Sequence, residues 1–262
     1  MKKRLIKIYN KLLFWGIDPK KAINNLKGLS FYYSDLKKIK KQKGNDQTFS
    51  FGKTFMILDE KNKESGNMKG HYFHQDLHVA KLVFKAQPKK HVDIGSRIDG
   101  FVAHVASFRE IEIIDIRKQK NNVENITTTQ LDLMQLPQDK INYCDSISSL
   151  HAIEHFGLGR YGDPIDYYGH IKAINNITKI LQKGGRFYFS VPIGTQRIEF
   201  NAQRIFSLDY LIEQLLKDYK VQSFSYVDDM GDFHKNVELT KKAILTNFNC
   251  NFGCGIFELI KL

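Results

Sequence analysis

From about residue 71 onward, apolar positions along the chain switch repeatedly between a helical period and short β-branched runs. Residues 72–85 put Phe73, Leu77, Ala80, Leu82, Val83 and Phe84 at helical spacing, which predicts a helix that ends before Pro88. Residues 91–94 form a short strand-like run that reaches a glycine turn, and 100–108 read as helix. Residues 111–116, 126–129 and 145–150 then give the second, third and fourth strand candidates. A helix over 166–181, a strand over 186–191, an amphipathic helix over 208–219 and strands over 221–227 and 256–260 complete the series. Seven strands with intervening helices, closing on a strand pair, predict an α/β fold with a mostly parallel, doubly wound sheet covered on both faces. Ligands of such sheets lie beyond the carboxyl ends of the strands, where the winding reverses.

The first 70 residues follow another pattern. Residues 1–45 read as helical, with Leu5, Ile8, Leu12 and Trp15 on one face, and 55–58 form a short strand candidate before a polar loop. The chain is expected to divide into a basic, largely helical extension over 1–70 and a main domain over 71–262. Charge sharpens this division. Residues 1–45 carry 13 Lys or Arg against only Asp18 and Asp35, so they hold +11 of the net +12. A basic amphipathic segment offers weak peripheral contact with an anionic membrane surface; the plainer reading is a helix packed over the main domain. No apolar run approaches the roughly 18 residues of a membrane span, and no secretory signal pattern opens the sequence, so a cytoplasmic protein is expected. Three cysteines, an odd number, argue against a disulfide framework. Cys250 and Cys254 lack the second pair a structural zinc site needs, and core thiols are expected.

Candidate chemistry begins after the first strand. In VDIGSRIDG (92–100), Gly95 allows a sharp turn toward a ligand, and the next helix offers free N–H groups together with Ser96 and Arg97. The G-x-G-x-x-G spacing of a dinucleotide site is broken, and Asp93 and Asp99 would repel a pyrophosphate. An ammonium and a sulfonium suit these acids better. Asp115 ends the second strand, 22 residues beyond Asp93, where a carboxylate accepts both hydroxyls of a ribose. Asp132 and Leu133 follow the third strand and could take an adenine amino group and its ring face.

VDIGSRIDG, IEIID, QLDL, SISSLHAIEHFG and LQKGGRFYFSVP, in this order and spacing, resemble the successive motifs of class I S-adenosylmethionine-dependent methyltransferases over about residues 71–262. The resemblance implies a Rossmann-like fold, S-adenosylmethionine as cofactor, and a cofactor set of Asp93, Gly95, Ser96, Arg97, Asp115, Asp132, Leu133 and His151. The family's D/E-x-G-x-G-x-G departs here to Arg97 and Asp99, with Gly100 displaced by one. Arg97 either reaches the methionine carboxylate or caps the loop. The Gly184-Gly185 pair is expected to cap the preceding helix. The stretch HAIEHFGLGRYGDPID (151–166) resembles a subgroup associated with surface-polysaccharide biosynthesis, which implies a sugar or nucleotide-sugar acceptor.

Methyl transfer from a sulfonium needs the nucleophile held opposite the sulfur, and a hydroxyl acceptor also needs a base. His155 is the first candidate and Glu154 its orienting group; contact with cofactor or a helix cap is the competing reading. Arg160, Tyr161 and Asp163 extend the same loop toward a sugar or its phosphate. Tyr72, His74 and Gln75 are expected to contact substrate or methionine. His71, His74 and His78 invite a metal reading, but no acidic ligand completes it. Asp229, Asp232 and His234 could hold Mg²⁺ or acceptor hydroxyls, or simply be solvated. No metal ligand is assigned, and a divalent ion stays open. A nucleic-acid methyltransferase is disfavoured, because Leu150-His-Ala-Ile stands where the family's amine-methylating turn would be and the site region is near neutral. The alternatives are a non-catalytic scaffold or a dinucleotide oxidoreductase.

Overall fold

The computed structural model describes residues 2–120, 122–135 and 138–262, with side chains from Ile6 onward in the first helix. The chain falls into two compact units, Met1–Asn67 and Met68–Leu262. In the first, α1 (Lys2–Phe14) and α2 (Pro19–Lys43) are separated by Asp18, whose side chain accepts from the backbone N–H groups of Lys20 and Lys21 while Pro19 opens the helix. Of the apolar face expected there, Ile8 and Trp15 are exposed, Leu12 is half-buried, and Leu5 lies outside the described side chains. The strand expected over 55–58 is absent; that stretch has no regular structure. Among the described residues, no helix is long and apolar enough to cross a membrane.

The second unit is built on an eight-stranded sheet. Its strands are β1 (His91–Ile94), β2 (Ile111–Asp115), β3 (Ile126–Gln130), β4 (Cys144–Leu150), β5 (Leu181–Ile193), β8 (Tyr219–Val227), β9 (Phe233–His234) and β10 (Gly253–Lys261), and a separate hairpin joins β6 (Arg197–Glu199) to β7 (Gln203–Ile205). The spatial order is β3-β2-β1-β4-β5-β10-β8-β9, with β1 to β5 mutually parallel and β10 antiparallel to both β5 and β8. This is a doubly wound, Rossmann-like sheet. Winding reverses between β1 and β4, which opens a crevice at their carboxyl ends.

Both faces of the sheet are buried, so apolar residues run nearly continuously along the strands while alternate side chains serve opposite cores. Phe187, Phe189 and Val191 face one core, shared with Ile174 and Ile177 of α5 (Gly169–Ile180) and Leu208 and Leu211 of α6 (Leu208–Leu215). Tyr188 and Leu150 face the other, with Val79 and Val83 of α3 (His71–Ala86) and Val105 of the short α4 (Ala103–Ala106). A last short helix, α7 (Lys241–Thr246), precedes β10. The hairpin, α7 and β9 were not expected from the sequence pattern, being too short to show a period.

The glycine pair expected to cap α5 does not do so. The helix ends at Ile180 with Leu181 already extended, and Gly184 (φ 73°) lies in an irregular stretch of β5. There β5 slips register against β4, so the positive φ relieves a bulge, not a helix terminus.

Burial leaves a set of groups poised against acid. Desolvation holds His91 down to about 3 and His71, His78 and His170 down to about 4. It pushes Asp76 and Asp93 up to about 6. Stability from the neutral histidines is complete above their unfolded value near 6.5 and is lost as pH falls toward 4. The two acids act oppositely: their contribution is complete below about 3.8 and is lost as pH rises through 6. Four histidines outweigh two acids, so unfolding near pH 5 is expected to take up about two protons. Urea titrations between pH 4.5 and 6 should show stability rising with pH; a flat or falling profile would contradict the assignment.

Candidate functional site

The carboxyl ends of β1, β2 and β4 border a cleft of about 610 Å³, within the usual range for small-ligand sites of roughly 300–1,000 Å³. β1 delivers the chain into a tight turn at Gly95, which adopts φ 67° and donates its N–H to the Ile114 carbonyl. A Cβ on Gly95 would stand 3.3 Å from that of Ala152, so glycine serves both the turn and the close approach of the β4 loop. Asp93 is wholly buried beneath this turn, accepting from the Ser96 N–H at 2.9 Å, the Ser96 hydroxyl at 2.7 Å and the Ser148 hydroxyl. Ser148 and Ser146 also meet the two ring nitrogens of His91, which makes a polar seam inside the sheet. Asp93, expected to touch a cofactor, therefore shapes the turn from below and does not line the cleft.

Gly95, Ser96, Arg97, Asp115, Asp132, Leu133, His151, His155, Tyr72, Tyr161 and Asp163 all line the cleft. Asp115 closes β2 and is gripped by Arg117, whose Nε and Nη2 donate at 2.9 and 2.7 Å. Arg97 pairs with Asp99 at 2.7 Å and lies over the Tyr72 ring. Asp132 turns the chain after β3 by accepting the Met134 N–H, while Leu133 is buried. The lining is thus not simply acidic. Asp99, Asp115, Asp132 and Asp163 share it with Arg97, Arg117 and Lys118, and two of the acids are held in bidentate or close pairs. The sequence carries one signal for Arg117, its place two residues past a strand-end acid.

The loop after β4 is held more firmly than its sequence implies. His151 adopts φ 51°, an uncommon conformation for a residue with a side chain, while its N–H still bonds the Ser190 carbonyl. Its Nδ1 meets Glu154 Oε1 at 2.7 Å. The His155 Nε2 lies 3.8 Å from that oxygen, so Glu154 orients His151 in place of the expected His155. Burial lowers His155, and its Nδ1 donates to the Ala202 carbonyl at 2.6 Å, which leaves Nε2 as the proton-accepting nitrogen. Burial opposes charge on His151 too, but the neighbouring Cys254 and Glu154 raise it overall. Arg204, on β7 and only 4% exposed, donates to the backbone carbonyls of Glu154, Phe156, Asp166 and Tyr167. Nothing in the local sequence marked that residue.

Several expected substrate contacts serve the fold instead. Asp163 accepts the backbone N–H groups of Gly157, Gly159 and Tyr161, so its carboxylate organises the loop. Arg160 donates to Ala202 and is outside the cleft lining. Gln75 is buried in the core against Ser190, and His74 stacks on Phe233; neither lines the cleft. His234 bonds Asp228 at 2.8 Å and stacks on Tyr226. Asp229 takes the Asn251 and Phe252 N–H groups and Asp232 pairs with Lys69, so the triad imagined around Mg²⁺ does not converge. His71, His74 and His78 also part company: His71 stacks on His151, whereas the other two meet Phe233.

Fold and cleft together define a Rossmann-like protein with a small-ligand-sized site at the switch point of its sheet. The chain belongs to the family described as Caenorhabditis protein of unknown function, DUF268, whose sequence profile matches residues 96–247. No curated protein matches it significantly. Among solved structures it is similar to the 1,6-didemethyltoxoflavin-N1-methyltransferase of Burkholderia thailandensis, determined with S-adenosylhomocysteine, at 12% identity over 71% of this chain and 78% of that one, with a TM-score of 0.49. It is similar to the N-methyltransferase NodS of Bradyrhizobium japonicum WM9 at 11% identity, 73% and 88% coverage and a TM-score of 0.48. The [4+2]-cyclase SpnF stands at 13%, 70% and 80%, with 0.47. Likenesses this distant, spread over methyltransferases and a cyclase, do not decide chemistry; the site itself must.

Proposed function

We propose that this protein is an S-adenosylmethionine-dependent methyltransferase acting on a hydroxyl of a sugar or nucleotide-sugar. The observation that carries the reading is the convergence of the Gly95 turn, Asp115 and Asp132 on one cleft without a dinucleotide glycine pattern. These residues fit the cofactor. Asp115 keeps one acceptor site open beyond its three bonds from the Arg117 backbone and guanidinium, and the half-exposed guanidinium must swing aside to release a second for the other ribose hydroxyl; Asp132 suits the adenine amino group, and Leu133 and Phe156 supply apolar walls. Arg97 sits where it can meet a carboxylate once it exchanges partners with Asp99. When bound, the cofactor supplies an electrophilic methyl group. His155, held neutral with Nε2 free of a proton, accepts the proton of the attacking hydroxyl in an in-line displacement. The sugar acceptor is supported by the resemblance of residues 151–166 and by Tyr161 at the cleft.

A non-catalytic scaffold is the second reading, favoured by the two Arg–Asp pairs that already occupy cleft carboxylates. Thermal shift separates the two. S-Adenosylhomocysteine is expected to raise the melting temperature and NAD to leave it unchanged. Incubation with S-adenosylmethionine and a panel of nucleotide-sugars, read by mass spectrometry, should then show gain of one methylene unit. Binding without turnover on any acceptor class would favour the scaffold, and protection by NAD alone would overturn the cofactor.

A further inference from the structure

His151 poses a problem that the methyl-transfer reading does not solve. Its Nε2 is buried and makes no well-formed hydrogen bond, with only the Cys254 sulfur near it, and the Oε2 of Glu154, on a residue with no exposed surface, is unpartnered. A buried carboxylate and an orphaned ring nitrogen are each costly unless something completes them. Two further donors reach the same spot. One ring nitrogen of His71, the first residue of α3, and the Sγ of Cys254, near the start of β10, lie with the His151 nitrogen in a cluster whose atoms are all within 4.8 Å of one another. The three residues come from three separate elements, and β5–β10 pairing puts Cys254 beside Pro192, at the carboxyl end of the sheet where β4 hands over to His151.

We propose that His71, His151 and Cys254 form a Zn²⁺ site beside the cleft. Two imidazoles and a thiolate suit zinc, and they exclude the hard, oxygen-seeking Mg²⁺ and Ca²⁺. Zinc bonds of about 2.0–2.1 Å to nitrogen and 2.3 Å to sulfur require donors roughly 3.5 Å apart, so the cluster must contract. For this, His71, half-buried at a helix end, has to turn out of its stack on His151 so that the two lone pairs converge. The surrounding contacts match those of metal-bound histidines. Glu154 holds the Nδ1 of His151 at 2.7 Å, leaving Nε2 for the ion, and the Phe252 backbone hydrogen-bonds His71. Charge closes as well: a dication, one thiolate and the Glu154 carboxylate sum to zero in a buried site. Three protein ligands leave a fourth position for water or an acceptor oxygen, as in catalytic zinc sites. Binding displaces to solvent the Cys254 thiol proton and the proton that a charged His151 carries on Nε2, so both donors meet the ion deprotonated.

This site stands independently of the methyltransferase reading, and its test uses no activity. The full chain, freed of metal by chelator and titrated with Co²⁺, is expected to develop a thiolate-to-cobalt charge-transfer band that saturates at one equivalent; Zn²⁺ should abolish it. Cys254→Ser is expected to lose the band, while Cys144 and Cys250 remain. Glu154→Gln should keep the band but weaken cobalt affinity about 10–100-fold. If Cys254→Ser does not fold, His71→Ala serves, since that half-buried side chain sits at a helix terminus and its loss should shift the band and lower affinity. Absence of a charge-transfer band in the wild-type chain, or its persistence in Cys254→Ser, would overturn the site.

Discussion

The Asp115→Ala variant is expected to lose S-adenosylhomocysteine binding by at least 100-fold while melting close to the wild-type temperature without ligand. The carboxylate ends β2 at the floor of the cleft, and among the described residues its partner is the half-exposed Arg117, through backbone N–H and guanidinium, which water can satisfy once the acid is gone. Two hydrogen bonds from ribose hydroxyls to a charged acceptor contribute about 1.5–3 kcal/mol each, and 1.4 kcal/mol is about tenfold in affinity. Asp115→Asn should fall between, since it keeps the shape but loses the charge. Calorimetric titration reads the result directly. Full affinity in Asp115→Ala would remove the ribose from this position, and with it the strongest support for an adenosyl ligand.

Arg204→Ala is expected to have the larger effect on the fold itself. The guanidinium is almost fully enclosed and donates to four backbone carbonyls of the 154–167 loop, two of them at 2.6 and 3.0 Å. Its removal orphans buried acceptors, for a loss of at least about 3 kcal/mol. In a unit of this size that is a fall in melting temperature of roughly 10 °C. The loop it anchors carries His155 and Glu154, the group that holds His151, so ligand affinity should fall together with stability, unlike in Asp115→Ala. Arg204→Lys should recover only part of the loss, because a single ammonium cannot span the carbonyls that a planar fork reaches. A melting temperature unchanged in Arg204→Ala would mean that the loop is held by its own turns, chiefly through Asp163 and the glycines around it.

Much of this architecture is legible in the amino-acid order, because strands buried on both faces and helices with one apolar side write their period directly into the sequence. The run 91–94, the acid at the end of β2 and the glycine after β1 are local facts: each follows from which residues neighbour which, and the structure keeps each where the sequence puts it. The hairpin and α7 were missed because a three-residue strand or a six-residue helix has no period to read. The Gly184-Gly185 pair misled for a related reason, since a glycine signals a positive φ without saying whether a helix end or a bulge requires it.

What only the tertiary structure decides is which side chain answers which. Sequence nominated His155 with Glu154 as a pair because they are neighbours; the left-handed turn at His151 instead gives Glu154 to His151. Asp93 and Asp163 carry the charge expected of ligand-binding groups, yet backbone N–H groups and serine hydroxyls had already claimed them. Arg204 carries no signal in its own stretch, and Cys254 reads there as a core thiol, because the partners of both lie 37 or more positions away along the chain. Local order sets periods, turns and strand-end charges, which depend on near neighbours. Hydrogen-bond and metal-donor partners depend on where distant segments meet, and that is fixed only when the sheet closes around them.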